Sequence, residues 1–477
     1  MKILLIYPPK QHHMLGVTPH TDIVETEAGY YPPIGLFYLA AYLEKNSKHS
    51  VKIIDSATEG FSHEKVKEII VSEKPDIVGM YVSTFYLYDG ILLARNAKEA
   101  VPGVVVIAGG PHVNLYPRES IEIPEIDIAV EGEGEIVLTE IANALEKNRA
   151  NPDINKMPGV LTKTNKGNYV HSCKIADLDS LPFPARHLVD YRKYSSILAK
   201  NNPITTLITS RGCPFKCKFC SNLESGQKVR LRSAKNVVDE LEECINKYGI
   251  RNFLFFDELF TSNKQRVLDI CSEIQKRKLK IYWQCRSRID VLDEEMVKSM
   301  KKAGCRLIQF GIETGTERLQ KYINKNLDLK RIEHTIKITS KAGIYTYGDF
   351  MFGLPTETDE ETRATIELAK KLPLDYAIFG MFSPMYGSYF YDEGVKQGLF
   401  VDFWKEFVNN PQGTLTDTSW TRDNSKKYFD IIAQAYKEFY FRPGYMLRKL
   451  IRVDSFSQFR WQFKSGLRAF WKLFYKI

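Results

Sequence analysis

Two stretches of the chain repeat one unit: a short run of apolar residues, a polar or glycine turn, then an amphipathic helix. Within residues 1–150 the apolar runs fall at 3–7, 51–54, 76–82, 104–108 and 126–130. Runs that are apolar throughout, without alternation, predict strands buried on both faces, with the intervening helices as the two covers. The pattern therefore predicts a doubly wound, Rossmann-like α/β domain, which takes a ligand beyond the carboxyl ends of its strands. Asp55, Ser83, Thr84, Gly109, Gly110, His112, Glu131 and Gly132 collect at those ends. No G-x-G-x-x-G follows the first strand, so a dinucleotide site is not expected. His12, His13 and His20 stand in a long loop, 10–30, that could cap a ligand. Residues 151–200 are rich in proline and polar turns and read as a linker, with a hairpin expected at 160–170. From 204 to about 387 the alternation resumes as six strand–helix units. Six such units fit a partial (β/α)6 TIM-type barrel, whose functional residues gather at the C-terminal strand ends.

Immediately after the first strand of the second set comes Ser-Arg-Gly-Cys-Pro-Phe-Lys-Cys-Lys-Phe-Cys-Ser, residues 210–221. Three of the chain's eight cysteines fall in this stretch, spaced C-x3-C-x2-C. Soft thiolates at short spacing bind zinc or iron–sulfur clusters. A structural zinc site takes four ligands, and no fourth Cys or His lies nearby in the sequence. Three thiolates leave one iron of a [4Fe–4S] cube open. A zinc knuckle and three unrelated buried thiols are the other readings. The stretch closely resembles the radical SAM signature, down to the aromatic Phe219 before the last cysteine. The resemblance implies that Cys213, Cys217 and Cys220 hold the cluster and that its open iron chelates S-adenosylmethionine (SAM). Reduction of the cluster then cleaves SAM to a 5′-deoxyadenosyl radical. It also implies that Asp257-Glu258 presents backbone to the SAM ammonium and that Glu313 contacts the ribose or the amino acid part. Arg286 is a partner for the carboxylate, and Gly353 lies beside the adenine. A salt bridge at the barrel rim is the alternative for each charged residue. Cys173, Cys244, Cys271, Cys285 and Cys305 read as packed thiols.

The first domain resembles the cobalamin-binding domain fused to many radical SAM enzymes. The matching pieces are Tyr7-Pro8-Pro9, Tyr31-Pro32-Pro33-Ile34-Gly35-Leu36, Pro75-Asp76-Ile77-Val78-Gly79, Ala108-Gly109-Gly110-Pro111-His112 and Glu131-Gly132-Glu133-Gly134-Glu135. The D-x-H-x-x-G motif that gives cobalt a histidine in other B12 proteins is absent, so by resemblance the lower face of the cobalt carries water or nothing. The whole is similar to a B12-dependent radical SAM methyltransferase, which implies methylation of an unactivated carbon through methylcobalamin. The same architecture also serves radical cyclisation, ring rearrangement or oxidation, and a non-catalytic iron–sulfur or tRNA-associated protein is the reading from a different class. The expected domains are cobalamin-binding, 1–150; linker, 151–200; radical SAM core, 201–394; and a mostly helical C-terminal region, 395–477.

The net charge is +9, and residues 437–477 hold ten Lys and Arg against two Asp and Glu. The basic character thus belongs to a tail, and a general nucleic-acid binder is not expected. At 456–477 aromatic residues at helical spacing run beside an i, i+4 ladder of cations, the pattern of a helix lying on an anionic lipid surface or docked on its own barrel. Tyr440-Phe441-Arg442-Pro443 resembles a tail common in this family. No apolar run is long enough to span a membrane, and the cysteines form no disulfide framework. The expected location is cytoplasmic, with peripheral membrane contact through 456–477. The expected partners are a small-molecule or lipid substrate and an electron donor such as flavodoxin or ferredoxin.

Overall fold

A computed structural model describes residues 1–12, 29–196, 198–221, 228–411 and 425–451. His13, His20, Trp420 and the basic aromatic segment 456–477 lie outside them. The described residues fall into two compact units. One comprises 1–12, 30–194 and 400–411; the other comprises 29, the described parts of 195–399, and 425–451.

In the first unit, β1 (Lys2–Tyr7), β2 (Ser50–Asp55), β3 (Ile77–Tyr81), β4 (Val105–Gly109) and β5 (Ile128–Val130) form a parallel sheet in the order β2-β1-β3-β4-β5. The run Ile3, Leu4, Leu5, Ile6 is buried throughout, as a strand covered on both faces must be. The strand order reverses between β1 and β3, which opens a crevice at their carboxyl ends. A sixth strand, β6 (Val160–Leu161), pairs antiparallel with β5. The hairpin expected at 160–170 does not form. Val160 and Leu161 pair with Val130 and Ala129 instead, and only Gly159 N–H reaches across to the Val170 carbonyl, at 2.7 Å. The stretch read as a linker packs on this unit as far as Tyr194, because Ile175, Leu178, Leu181 and Tyr194 bury there.

In the second unit, β7 (Ile204–Leu207), β10 (Asn252–Phe255), β11 (Tyr282–Ser287), β12 (Cys305–Glu313), β13 (Tyr345–Phe352) and β14 (Tyr376–Met381) run parallel and in chain order. This is the open (β/α)6 arrangement. A small antiparallel pair, β8 (Ser210–Arg211) and β9 (Arg230–Leu231), stands apart. The helices at Ala234–Tyr248, Lys264–Lys276, Glu294–Lys302, Leu329–Lys341 and Asp359–Lys371 each start on a side-chain cap: Ser233, Asn263, Asp293, Asp328 and Thr358. Each cap satisfies one of the amides a helix leaves free at its start. An incomplete barrel leaves β14 as an edge, a place where unpaired backbone invites further strands. The helix Ser425–Tyr440 covers it. Tyr440 Oη donates to Ala377 O (2.9 Å) and accepts from Ala377 N (3.0 Å), and Tyr436 Oη accepts from Phe379 N (3.3 Å). Arg442 donates to Lys370 O and lies over the Phe439 ring, so the Tyr-Phe-Arg-Pro stretch locks the helix end.

Candidate active site

The three cysteines sit on a loop closed at its base by the pairing of Ser210 and Arg211 with Leu231 and Arg230. A second loop, after the helix Glu317–Tyr322, grips it. Lys218 N–H donates to Ile323 O (3.0 Å), and Asn324 Nδ2 donates to Lys216 O (2.7 Å). Within the cysteine loop, Cys220 N–H turns back to Cys217 O (3.1 Å). Phe219 packs against the buried cluster of Leu319, Ile323, Leu354, Phe382 and Phe390, which anchors the last cysteine from below. None of the three thiols is in a disulfide, and all three are half-buried. The donor set fits an iron–sulfur cluster: three half-buried sulfurs on one short loop whose backbone is held by hydrogen bonds. Among the described residues, the metal-binding type of side chains whose ligand atoms all lie within 4.8 Å of one another are His12, His63 and Asp89, not the cysteines. A single zinc ion, with Zn–S bonds near 2.3 Å, would draw its sulfurs closer than that.

Beyond the loop, the strand ends of the second unit bring polar groups together. Asp257, after β10, is fully buried. Its Oδ1 accepts from Thr209 N–H (2.6 Å), and its Oδ2 accepts from Ser210 Oγ (2.8 Å) and Thr209 Oγ1. The Arg266 guanidinium lies 4.0 Å away and also donates to Thr209 O (2.6 Å). The carboxylate is thus spent on the turn that launches the cysteine loop, which leaves the backbone of 257–258 as the part able to meet a ligand. Arg286 is exposed and lies 5.1 Å from the centre of the Phe256 ring, itself an exposed aromatic.

Glu313 ends β12 with φ of 70°, after a break in register between Gly311 and Glu313. A non-glycine residue in the left-handed region is costly and clusters at functional sites. Its Oε1 pairs with Lys325 Nζ at 2.6 Å, and Lys325 is itself nearly buried. A Cβ on Gly311 would stand 2.4 Å from that Oε1 and 2.6 Å from Nζ, so any larger residue there would have to push the ends of the pair aside. Gly353, at φ of 87°, donates its N–H to Glu357 Oε2 (2.6 Å).

Sequence reading did not single out Asp349, Gln309 or Lys325, and it placed Arg288 at a strand end without a role. On β13, Asp349 faces Gln309 of β12, whose Nε2 donates to both carboxylate oxygens (3.1 and 2.9 Å). Burial, reinforced by the neighbouring Glu313, pushes the Asp349 carboxyl up to about 7 from its ordinary 3.8. As pH rises from about 4 towards 7, the unfolded chain loses this proton while the folded protein keeps it. Asp349 therefore costs stability increasingly over that window, up to roughly 4 kcal/mol at ~1.36 kcal/mol per unit, and the cost levels off above it. Asp349→Asn removes the titration. Its stability relative to the parent is expected to be greater at pH 8 than at pH 4.5 in urea unfolding; a difference that stays constant across pH would refute the assignment.

The expected residues of the first unit also lie at carboxyl strand ends. Tyr7 and Tyr81, at the ends of β1 and β3, stack on each other at 5.0 Å. Asp55 accepts from Thr58 N–H (3.3 Å) and from the Tyr194 hydroxyl (3.0 Å), and burial raises its carboxyl above the usual range. Ser83 opens the short turn Thr84–Tyr86, in which Tyr86 N–H returns to Ser83 O (3.1 Å). Thr84 and His112 are fully enclosed. They share a hydrogen bond of 3.1 Å, and His112 lies between Tyr116 and Trp404. Burial pushes this imidazole down to about 3, so it is neutral. Gly109 O accepts from Val82 N–H (2.7 Å), and at Gly110, φ 110°, a Cβ would come within 3.0 Å of Val82 O. Glu131 accepts from Tyr169 Oη (3.1 Å) and Ser172 N–H (3.0 Å), while Gly132 donates to Asn114 Oδ1 (2.7 Å). His12 and His63 converge on the buried Asp89, each at 2.7 Å, and Asp89 also takes the amides of Gln11 and His12. That carboxylate fixes the start of the loop after β1.

Comparison with known proteins agrees with both units. The radical SAM superfamily matches residues 207–369, and the B12 binding domain matches residues 21–142. An uncharacterized methyltransferase of Pyrococcus horikoshii is 33% identical over 100% of this chain and 99% of its own length. An anaerobic magnesium-protoporphyrin IX monomethyl ester cyclase of Rubrivivax gelatinosus is 31% identical, over 85% of this chain and 72% of its own. A radical S-adenosylmethionine methyltransferase from Kitasatospora setae, solved with cobalamin and a [4Fe–4S] cluster bound, shares the fold. Its TM-score is 0.67 at 19% identity, over 83% of this chain and 75% of that one. With a B12-binding domain ahead of a radical SAM domain, and a methyltransferase relative similar over its full length, the chain belongs to the family of radical SAM enzymes that carry a B12-binding domain.

Proposed function

We propose that the chain is a methyltransferase that transfers a methyl group from SAM to an unactivated carbon of a small molecule. The observation that carries this reading is the loop of three half-buried thiols at the mouth of a partial barrel, in a chain that also has a B12-binding domain and a full-length methyltransferase relative. When bound, the cluster supplies the electron that cleaves SAM to a radical, and cobalamin carries the methyl group. Cys213, Cys217 and Cys220 hold the cluster, and Phe219 fixes the loop beneath it. The backbone of Asp257-Glu258, Arg286, Glu313 and Gly353 orient SAM. Glu313 suits the task because a carboxylate accepts two hydrogen bonds from vicinal hydroxyls. Lys325 holds it at the required angle. The protonated Asp349 is a donor to a substrate oxygen or nitrogen near neutral pH. In the first unit the crevice at the carboxyl ends of β1 and β3, beside the stacked Tyr7 and Tyr81, takes the corrin, with Asp55, Ser83, Thr84, Gly109, Gly110, His112, Glu131 and Gly132 framing it, several of them through backbone. A flavodoxin- or ferredoxin-type donor provides the electron.

The cyclase relative supports a second reading, radical ring formation without methyl transfer. The experiment that separates them is anaerobic reconstitution with iron, sulfide and cobalamin, then turnover with methyl-deuterated SAM. Methylation yields S-adenosylhomocysteine and 5′-deoxyadenosine together and a product heavier by a deuterated methyl. Deoxyadenosine without S-adenosylhomocysteine would sink the methyltransferase reading.

A further inference from the structure

Arg288, just beyond β11, reaches the cysteine loop from the side. Its guanidinium carbon lies 3.6 Å from the centre of the Phe215 ring, a close cation–π stack. Nη2 donates to Lys325 O (2.9 Å), and Nε and Nη2 pair with Asp290 (3.0 and 2.9 Å). These contacts leave little freedom to the group, which is only 8% exposed. Nη1 then stands 3.5 Å from Cys217 Sγ, in donor geometry. No sequence motif marks this contact, because Arg288 and Cys217 are 71 residues apart.

We propose that Arg288 is a positioning residue that sets the reduction potential of the cluster held by Cys213, Cys217 and Cys220, through its N–H bond to the Cys217 sulfur. The inference rests on the cluster assignment made above. Hydrogen bonds to ligand sulfurs, net charge and solvent exposure set the potentials of iron–sulfur clusters. A donor on sulfur favours the reduced cluster, whose ligands carry more electron density. Asp290 already balances the guanidinium charge, so the aimed hydrogen bond, more than the charge, carries the effect. The Phe215 stack and the Lys325 carbonyl hold the donor in place, as outer partners do around metal ligands.

The test is a redox titration of the full-length, anaerobically loaded chain without SAM, followed by electron paramagnetic resonance, with iron and sulfide measured on each sample. Arg288→Gln is expected to keep its iron and sulfide and to be harder to reduce. At a fixed reductant potential its ratio of reduced to oxidised cluster falls about tenfold, which is about 59 mV for one electron. Arg288→Lys keeps the charge but loses the planar stack and the fork, so a shift in the same direction is expected. Phe215→Leu leaves Arg288 in the chain but unclamps it, and it too lowers the ratio. It serves as the readout if Arg288→Gln fails to load. Loaded variants whose potential equals the parent's would overturn the proposal. A parent chain that binds no iron would instead sink the cluster assignment.

Discussion

Alanine at any one of Cys213, Cys217 or Cys220 is expected to lower 5′-deoxyadenosine formation from SAM at least ~10³-fold, about 4 kcal/mol in the barrier. The reason is the ligand count. Three thiolates are the fewest that hold a cube with one open iron, and no other cysteine stands on this loop. Cys244, Cys271, Cys285 and Cys305 are buried in the packing of helices and strands, and Cys173 lies in the first unit. The fold has little stake in these thiols. Strand pairing at Ser210 and Arg211, the Lys218–Ile323 and Asn324–Lys216 bonds, and the burial of Phe219 hold the loop. The variants are therefore expected to unfold within a few degrees of the parent while losing iron, sulfide and visible absorption. Cys173→Ala, an exposed thiol, is the control and should cleave SAM at the parental rate. Retained SAM cleavage in Cys217→Ala would refute the cluster assignment outright.

What the sequence discloses and what it hides divide along a physical line. The strands of both units are legible because fully buried runs such as Ile3–Ile6 leave no alternative to a doubly covered sheet. The cysteine loop is legible because its ligands are neighbours in sequence. Lys325 with Glu313, Gln309 with Asp349 and Arg288 with Cys217 are pairings across different strands and loops, so only the folded sheet brings them together. The tyrosine cover on β14 is hidden for the same reason: nothing local in 425–440 says which edge it will meet. Residues 151–194 mislead in the other direction. Proline and polar turns suggest a linker, while a few spaced apolar side chains are enough to dock the stretch. Asp257 shows that a polar side chain at a strand end can serve the scaffold while its backbone is left to the ligand.

Asp257→Ala is accordingly expected to damage the fold before it damages SAM binding. The substitution removes the acceptor for Thr209 N–H, Thr209 Oγ1 and Ser210 Oγ, all buried, and leaves Arg266 without its carboxylate neighbour. Taking one partner from a buried charge pair costs about 3–5 kcal/mol, because the remaining charge stays desolvated. In a unit of this size ~1 kcal/mol moves the melting midpoint by about 2–4 °C, so a fall of roughly 10 °C is expected. Asp257→Asn keeps one oxygen acceptor and turns the other into a donor facing donors, so its loss should be smaller, about 1–3 kcal/mol. Both effects fall at the root of the cysteine loop, where Thr209 also accepts from Arg266. Cluster loading should therefore fail at a lower temperature than in the parent, in step with the unfolding midpoint. Calorimetry and SAM binding measured together on Asp257→Asn decide the question. If Asp257 serves the scaffold, the midpoint drops, and protein still folded at low temperature binds SAM as the parent does. An unchanged midpoint with weakened SAM binding would instead put this carboxylate in direct contact with the ligand.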